Sequence, residues 1–176
     1  MIIEELKSLE EESIRRGIPI IGSEKGSWLY SKVKELKPKK VLELGTANGY
    51  SGIILGSEGA SLTTIDINKK IVEEAKTNFE TFNIKANVLV GDAEKEAKKL
   101  SSKKEMFDLI YIDHYKRGYI AVLEDCIKMV RKGGLIIADN IIFPGCQDYR
   151  EAVLSHPKLR TEIINIKDGL SCSKIL

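Results

Sequence analysis

KVLELGTANGYSG, residues 40–52, is an apolar run that ends in a glycine-bracketed turn and reopens as a helix. Its first half is continuous in apolar character and does not alternate. That is how a strand covered on both faces reads. The same pattern returns four times, in SLTTIDI (61–67), ANVLVGD (86–92), FDLIYID (107–113) and GLIIADN (134–140). Helical patterns separate these runs at 50–57, 68–82, 93–101, 118–131 and 146–155, and two more helices at 2–16 and 24–36 precede the first strand. Strict alternation through five strands predicts an α/β, doubly wound, mainly parallel sheet with helices on both faces. Two further strands, near 159–166 and 170–176, are joined only by KDG (167–169), which suits an antiparallel hairpin at one edge. The expectation is a seven-stranded sheet within one domain over 1–176.

The bulk numbers agree with that class. The 176 residues are 43% hydrophobic and 31% charged, with a net charge of +2 that argues for neither a nucleic-acid nor a membrane partner. The charge run EKEAKKLSSKKE (94–105) reads as a solvated helix face. Three cysteines, Cys126, Cys146 and Cys172, fit neither a disulfide framework nor a CxxC metal ribbon, and a reducing, cytoplasmic location is the simple expectation. MIIEELKSLEEESIRR (1–16) is acidic and amphipathic with no apolar core, so it does not read as a signal peptide.

In such a sheet a ligand sits beyond the carboxyl ends of the strands. Glu43 to Gly49, Asp66, Asp92, Asp113 and Asp139–Asn140 all fall there. Gly45 and Gly49 permit positive φ and close approach of a ligand to the backbone. Their GxxxG spacing differs from the GxGxxG of dinucleotide sites, and Glu43 beside the turn would repel a pyrophosphate but suit a cationic ligand. Asp66, ending the second strand, has the place of an acid that accepts from ribose hydroxyls, while Asn68 can cap the following helix. Asp92 can accept from an adenine amino group or can cap the helix at 93.

At these residues the chain resembles the class I S-adenosylmethionine-dependent methyltransferases: ELGTANGYSG, TTIDIN and VLVGDAE match that family's first three strand-end motifs in order and spacing. The resemblance implies a Rossmann-like core over 40–176 that binds S-adenosylmethionine. Glu43 and the Gly45–Ala47–Gly49 loop would border its methionine part, Ser51 its carboxylate, and Asp66 with Ile67 its ribose. Asp92, Ala93, His114 and Tyr115 would line the adenine side.

The second half poses a different question. IDHYKRGY (112–119) ends a buried strand in an acid, an imidazole, a phenol and an ammonium, and IIADNIIFPG (136–145) ends another in an acid and an amide. Neighbouring strands lie about 4.8 Å apart, so Asp113, Asp139 and Asn140 can converge. Two carboxylates and an amide carbonyl are hard donors that suit Mg²⁺, with Ca²⁺ or Mn²⁺ as other occupants. Adjacent strand residues point to opposite faces, so Asp139 and Asn140 can share an ion only if the chain bends between them.

These two motifs resemble the catechol O-methyltransferase branch of the family, which includes caffeoyl-CoA-type enzymes, with Tyr115 where a tryptophan is usual. IIGSEKGSWL (20–29) resembles the segment that covers the cofactor, which implies that the helices of 1–37 cover its site, with Ile21 and Lys25–Gly26 nearby. The resemblance further implies Asp113, Asp139 and Asn140 on the metal, Lys116 as general base, Asp113 also beside the cofactor, and Glu162 near a second substrate hydroxyl. It implies a small catechol-like or vicinal-hydroxyl acceptor and self-association as a homodimer. Three other readings stand beside it: methylation of a hydroxylated tRNA base, an NAD-dependent enzyme, and a non-catalytic binding module on the same fold. The GxxxG loop counts against NAD, and the intact Asp113, Lys116, Asp139 and Asn140 set counts against a binding module.

Overall fold

The computed structural model describes residues 1–176. Five parallel strands form as expected: β1 (Lys40–Leu44), β2 (Ser61–Asp66), β3 (Ala86–Val90), β4 (Phe107–Ile112) and β5 (Val130–Asp139). β6 (Leu159–Ile164) and β7 (Leu170–Ile175) make the antiparallel hairpin, and the sheet order is β3-β2-β1-β4-β5-β7-β6. β7 therefore slots between β5 and β6 and pairs antiparallel with both. No helix is long and apolar enough to cross a membrane.

Side-chain parity sorts the strands into two cores. Leu42, Leu44, Ile110, Ile112, Ile136 and Ala138 face α7 (Tyr119–Met129) and α8 (Gln147–Ser155). Val41, Leu109, Tyr111 and Ile137 face α3 (Gly22–Leu36), α4 (Tyr50–Gly56) and α5 (Lys69–Thr81). The same odd-numbered parity carries Glu43 and Asp139 to the α3–α4 side, while Asp113, one residue past the end of β4, meets Lys116 and Tyr119. Ile112 pairs with Ala138, so Asp113 and Asp139 follow side by side at the carboxyl edge.

Several boundaries differ from the sequence reading. β5 begins at Val130, four residues before the expected start, and α7 stops at Met129. The β4–β5 register shifts between Phe107 and Leu109, so an irregularity absorbs the RKGG segment. The opening helix is broken at buried Leu6 into α1 (Ile2–Glu5) and α2 (Lys7–Arg15). α2 is fastened over the β1 turn: Asn48 donates to Ser13 at 2.7 Å, Tyr50 donates to Glu10 at 3.1 Å, and Arg16 grips Glu74 of α5 with bonds of 2.8 and 2.7 Å.

The turn after β1 is the tightest point of the chain. Gly45 has φ +104°, and a Cβ there would lie 2.2 Å from the carbonyl oxygen of Asp113. Two strand ends thus touch through backbone alone, and only glycine allows it. Gly45→Ala is expected to destabilise the fold by at least about 2 kcal/mol. Urea unfolding of the variant beside the parent checks this; an unchanged midpoint would contradict the crowding.

Candidate active site

The carboxyl edge opens into a cavity of about 670 Å³ lined by strand-end residues of β1 to β5. Gly45, Thr46, Ala47 and Ser51 form one wall, with Asp66 and Ile67, Asp92 and Ala93, and Asp113 to Lys116 around it; Asp139, Asn140, Phe143 and Asp168 close the far end. Most residues expected at the site therefore meet in one place. The alternatives left open at Asp66 and Asp92 both find structural partners. Asn68 caps α5, accepting from Lys70 and Ile71, while Asp66 accepts from the backbone N–H groups of Thr46, Ala47 and Asn68 at 2.9–3.0 Å. Asp66 thus ties down the glycine turn. Asp92 lines the cavity and also caps α6 (Ala93–Ser102), accepting from Lys95 at 3.0 Å.

Five expectations need correction. Glu43 does not line the cavity; it is fully buried beneath the turn, where Ser51 and Thr64 donate to it at 2.5 and 2.6 Å. It reaches the ligand space only through Ser51. Gly49, at φ +92°, packs against Phe79 and Ala75 and does not reach the wall. Ile21 turns into the core at the start of α3, and Pro19 and Ile20 supply that part of the wall. Glu162 stands in mid-β6 opposite Cys172, two residues short of the strand end, and is exposed outside the cavity. Gly26 packs on Ile54 of α4 and also stays away from the cavity.

The far end holds a compact charge network. Lys25, only 2% exposed, reaches from α3 to pair with both Asp139 and Asp168. Lys116 donates to Asp113 at 2.5 Å and to the Tyr119 hydroxyl at 2.9 Å. Asn140 has φ +54°, a left-handed bend that asparagine tolerates better than most residues. This bend is what lets neighbouring residues 139 and 140 serve one site. Asn140 donates its side-chain N–H to Asp168 at 2.6 Å.

Burial pushes Asp113 up to about 6 against the pull of Lys116, and raises Asp139 against the pull of Lys25. Partial burial would also raise Asp168, but Lys25 and Asn140 outweigh it and hold Asp168 below the usual range. Burial pushes His114 down to about 4, so it is neutral at pH 7, and its Nε2 has no partner within the chain. Tyr115 is 69% exposed at the rim.

The donor set fits a hard divalent cation. Asp139 Oδ1 already accepts from Lys25 and from the Asn140 backbone, and Asp113 Oδ1 from Lys116. Asp113 Oδ2 and Asn140 Oδ1 have no partner, and Asp139 Oδ2 has only Tyr111 at 3.4 Å. No three acidic, histidine or cysteine side chains form a cage on their own, so the amide oxygen is needed as the third donor. All three of these oxygens are the type Mg²⁺ prefers.

A family described as O-methyltransferase matches residues 1–163. The chain belongs to this family. It is 35% identical to catechol O-methyltransferase B of Danio rerio in an alignment that covers 89% of this chain and 65% of that protein. Catechol O-methyltransferase of Mus musculus is 29% identical over 85% of this chain and 63% of its own length. The chain thus spans less than two thirds of these relatives. Among solved structures, a putative caffeoyl-CoA O-methyltransferase from Staphylococcus aureus superposes with a TM-score of 0.87 at 25% identity, covering 99% of this chain and 92% of that one.

Glu43 yields a pH signature for this O-methyltransferase-family fold. Burial pushes it up to about 8, only partly offset by Ser51 and Thr64. Folded protein therefore keeps a proton that the unfolded chain releases near 4.5. Stability is fullest below that lower value and is lost as pH rises through about 8. Glu43→Gln keeps the shape and cannot ionise. Its melting temperature relative to the parent should climb between pH 6 and pH 9; parallel curves would show that Glu43 is ionised in the fold.

Proposed function

We propose that the chain moves a methyl group from S-adenosylmethionine to one oxygen of a small catechol-like or vicinal-hydroxyl acceptor, with the help of Mg²⁺ or a similar divalent cation. The observation that carries this is the convergence of Asp113, Asp139, Asn140 and Lys116 at one end of a cavity whose other end is the β1 turn and the β2 and β3 acids. Family membership supports the reaction class. When bound, the cofactor supplies an electrophilic methyl, and a divalent cation supplies fixed charge that acidifies and orients paired hydroxyl oxygens.

The chain's own residues supply the rest. Ser51, Asp66 and the Thr46–Ala47 backbone hold the methionine and ribose parts, and neutral His114 with Ala93 packs on the base. Asp113, Asp139 and Asn140 would hold the cation through Asp113 Oδ2, Asp139 Oδ2 and Asn140 Oδ1. Lys116, as the free amine, accepts the hydroxyl proton at Nζ, and the ammonium so formed pairs with Asp113 Oδ1 and the Tyr119 hydroxyl. Phe143, partly exposed in the wall near Asp139 and Asn140, offers an apolar surface to a flat acceptor. Holding nucleophile and methyl in line supplies much of the rate. The wall carries Asp66, Asp92, Glu94, Asp113, Asp139 and Asp168 against Lys116. That balance disfavours an RNA backbone and favours a small acceptor.

The test is methyl transfer from labelled S-adenosylmethionine to a catechol panel, with Mg²⁺ or with EDTA. Asp139→Ala is expected to abolish the metal-dependent signal. Lys116→Met should lower kcat on the order of 100-fold or more while leaving cofactor binding intact. Transfer that persists in EDTA would remove the metal from the mechanism, and failure to bind cofactor would overturn the reading as a whole.

A further inference from the structure

An asparagine can serve a cation only through its oxygen, and the two ends of its amide have nearly the same shape. Something must choose which end faces the cavity. In this chain the chooser stands at 2.6 Å: Asp168 Oδ2 accepts from Asn140 Nδ2. A carboxylate can only accept, so the amide nitrogen must turn toward it. The oxygen is then left on the other side, without a partner in the chain.

Asp168 is itself held from three directions. Its other oxygen pairs with Lys25, which is sealed between it and Asp139. Its backbone carbonyl accepts from Ile142 at 3.2 Å, and that of Gly169 accepts from Ile141 at 3.4 Å. These bonds stitch the β6–β7 turn to the segment that leaves β5. Asp168 also lines the cavity, and its side chain keeps 31% of its surface exposed.

We infer that Asp168 is a positioning residue: it fixes the Asn140 amide so that oxygen, not nitrogen, faces the place where a divalent cation would bind. This rests on the reading of Asp113, Asp139 and Asn140 as the donor set. Lys25 is the anchor that keeps Asp168 in place while also fixing Asp139. The hairpin turn, remote in sequence from the strand-end motifs, thereby becomes part of the cation site.

Asp168→Asn is the test, because removal of Lys25 would strand buried carboxylates and risk the fold. An amide at 168 can both donate and accept, so it no longer dictates how Asn140 lies. Two quantities would be read. One is Mn²⁺ affinity, from the free-ion EPR signal. The other is the Asn140 side-chain N–H pair in ¹H–¹⁵N spectra without metal, identified by its absence in Asn140→Asp. The expected result is a single, exchange-protected Asn140 pair in the parent that loses protection in Asp168→Asn. Mn²⁺ affinity should fall about tenfold, with S-adenosylhomocysteine affinity unchanged. The exchanged variant Asn140→Asp with Asp168→Asn, which restores one donor and one carboxylate, should regain Mn²⁺ binding.

Parent-level Mn²⁺ affinity in Asp168→Asn, or an unprotected Asn140 pair in the parent, would overturn the inference alone. If the parent bound no Mn²⁺ at a site lost in Asp139→Ala, the metal reading would fall and this inference with it.

Discussion

Lys25, enclosed between Asp139 and Asp168, is the cation on which the carboxyl edge of the sheet depends. Parallel strands deliver their ends to one side, and here several of those ends are acids. Like charges brought together in a poorly solvated place repel strongly. Two lysines offset this: Lys25 arrives from α3 beneath, and Lys116 from the turn after β4. The pairing keeps carboxylates available at the cavity that burial alone would protonate. A buried ion pair contributes little net stability compared with apolar packing, so its value here lies in what it orients.

The opposite end of the cavity follows another logic. Glu43 has no lysine beside it, and its environment favours the protonated form. Its partners are hydroxyls: Ser51, Thr64 and, through Thr64, Thr46 at 2.6 Å. Beneath the glycine turn lies a chain of hydrogen bonds instead of a charge cluster. The turn above is held by Asp66 through two backbone N–H groups. One pocket therefore has a rigid, uncharged floor at one end and a dense ionic network at the other.

Much of this was legible in the sequence. Continuous apolar runs gave the five parallel strands, because strands covered on both faces need no polar alternation, and the short KDG link gave the hairpin. Strand-end acids were legible because their parity and position follow from the strands themselves. The bend required at Asn140 was foreseen, although it is achieved by the asparagine's own backbone. What failed was long range or one residue out of phase. Ile21 and Ile20 swap roles according to which way the start of α3 turns. Glu162, implied by the resemblance, stands in mid-β6 opposite Cys172 because the strand runs on to Ile164. Asp168 was read only as part of a turn, since its partner Lys25 lies 143 positions away and no local pattern links them.

The insertion of β7 between β5 and β6 carries a consequence for synthesis on the ribosome. β6 emerges first but has no sheet neighbour except β7. Until residues 170–175 leave the exit tunnel, β5 offers a bare edge and β6 has nothing to join. The nascent chain can close β1 to β5 early, yet the turn that carries Asp168 is docked only once β7 has paired with β5. Assembly of the ionic network around Asp168 therefore waits on β7, and its completion coincides with the closing of the sheet.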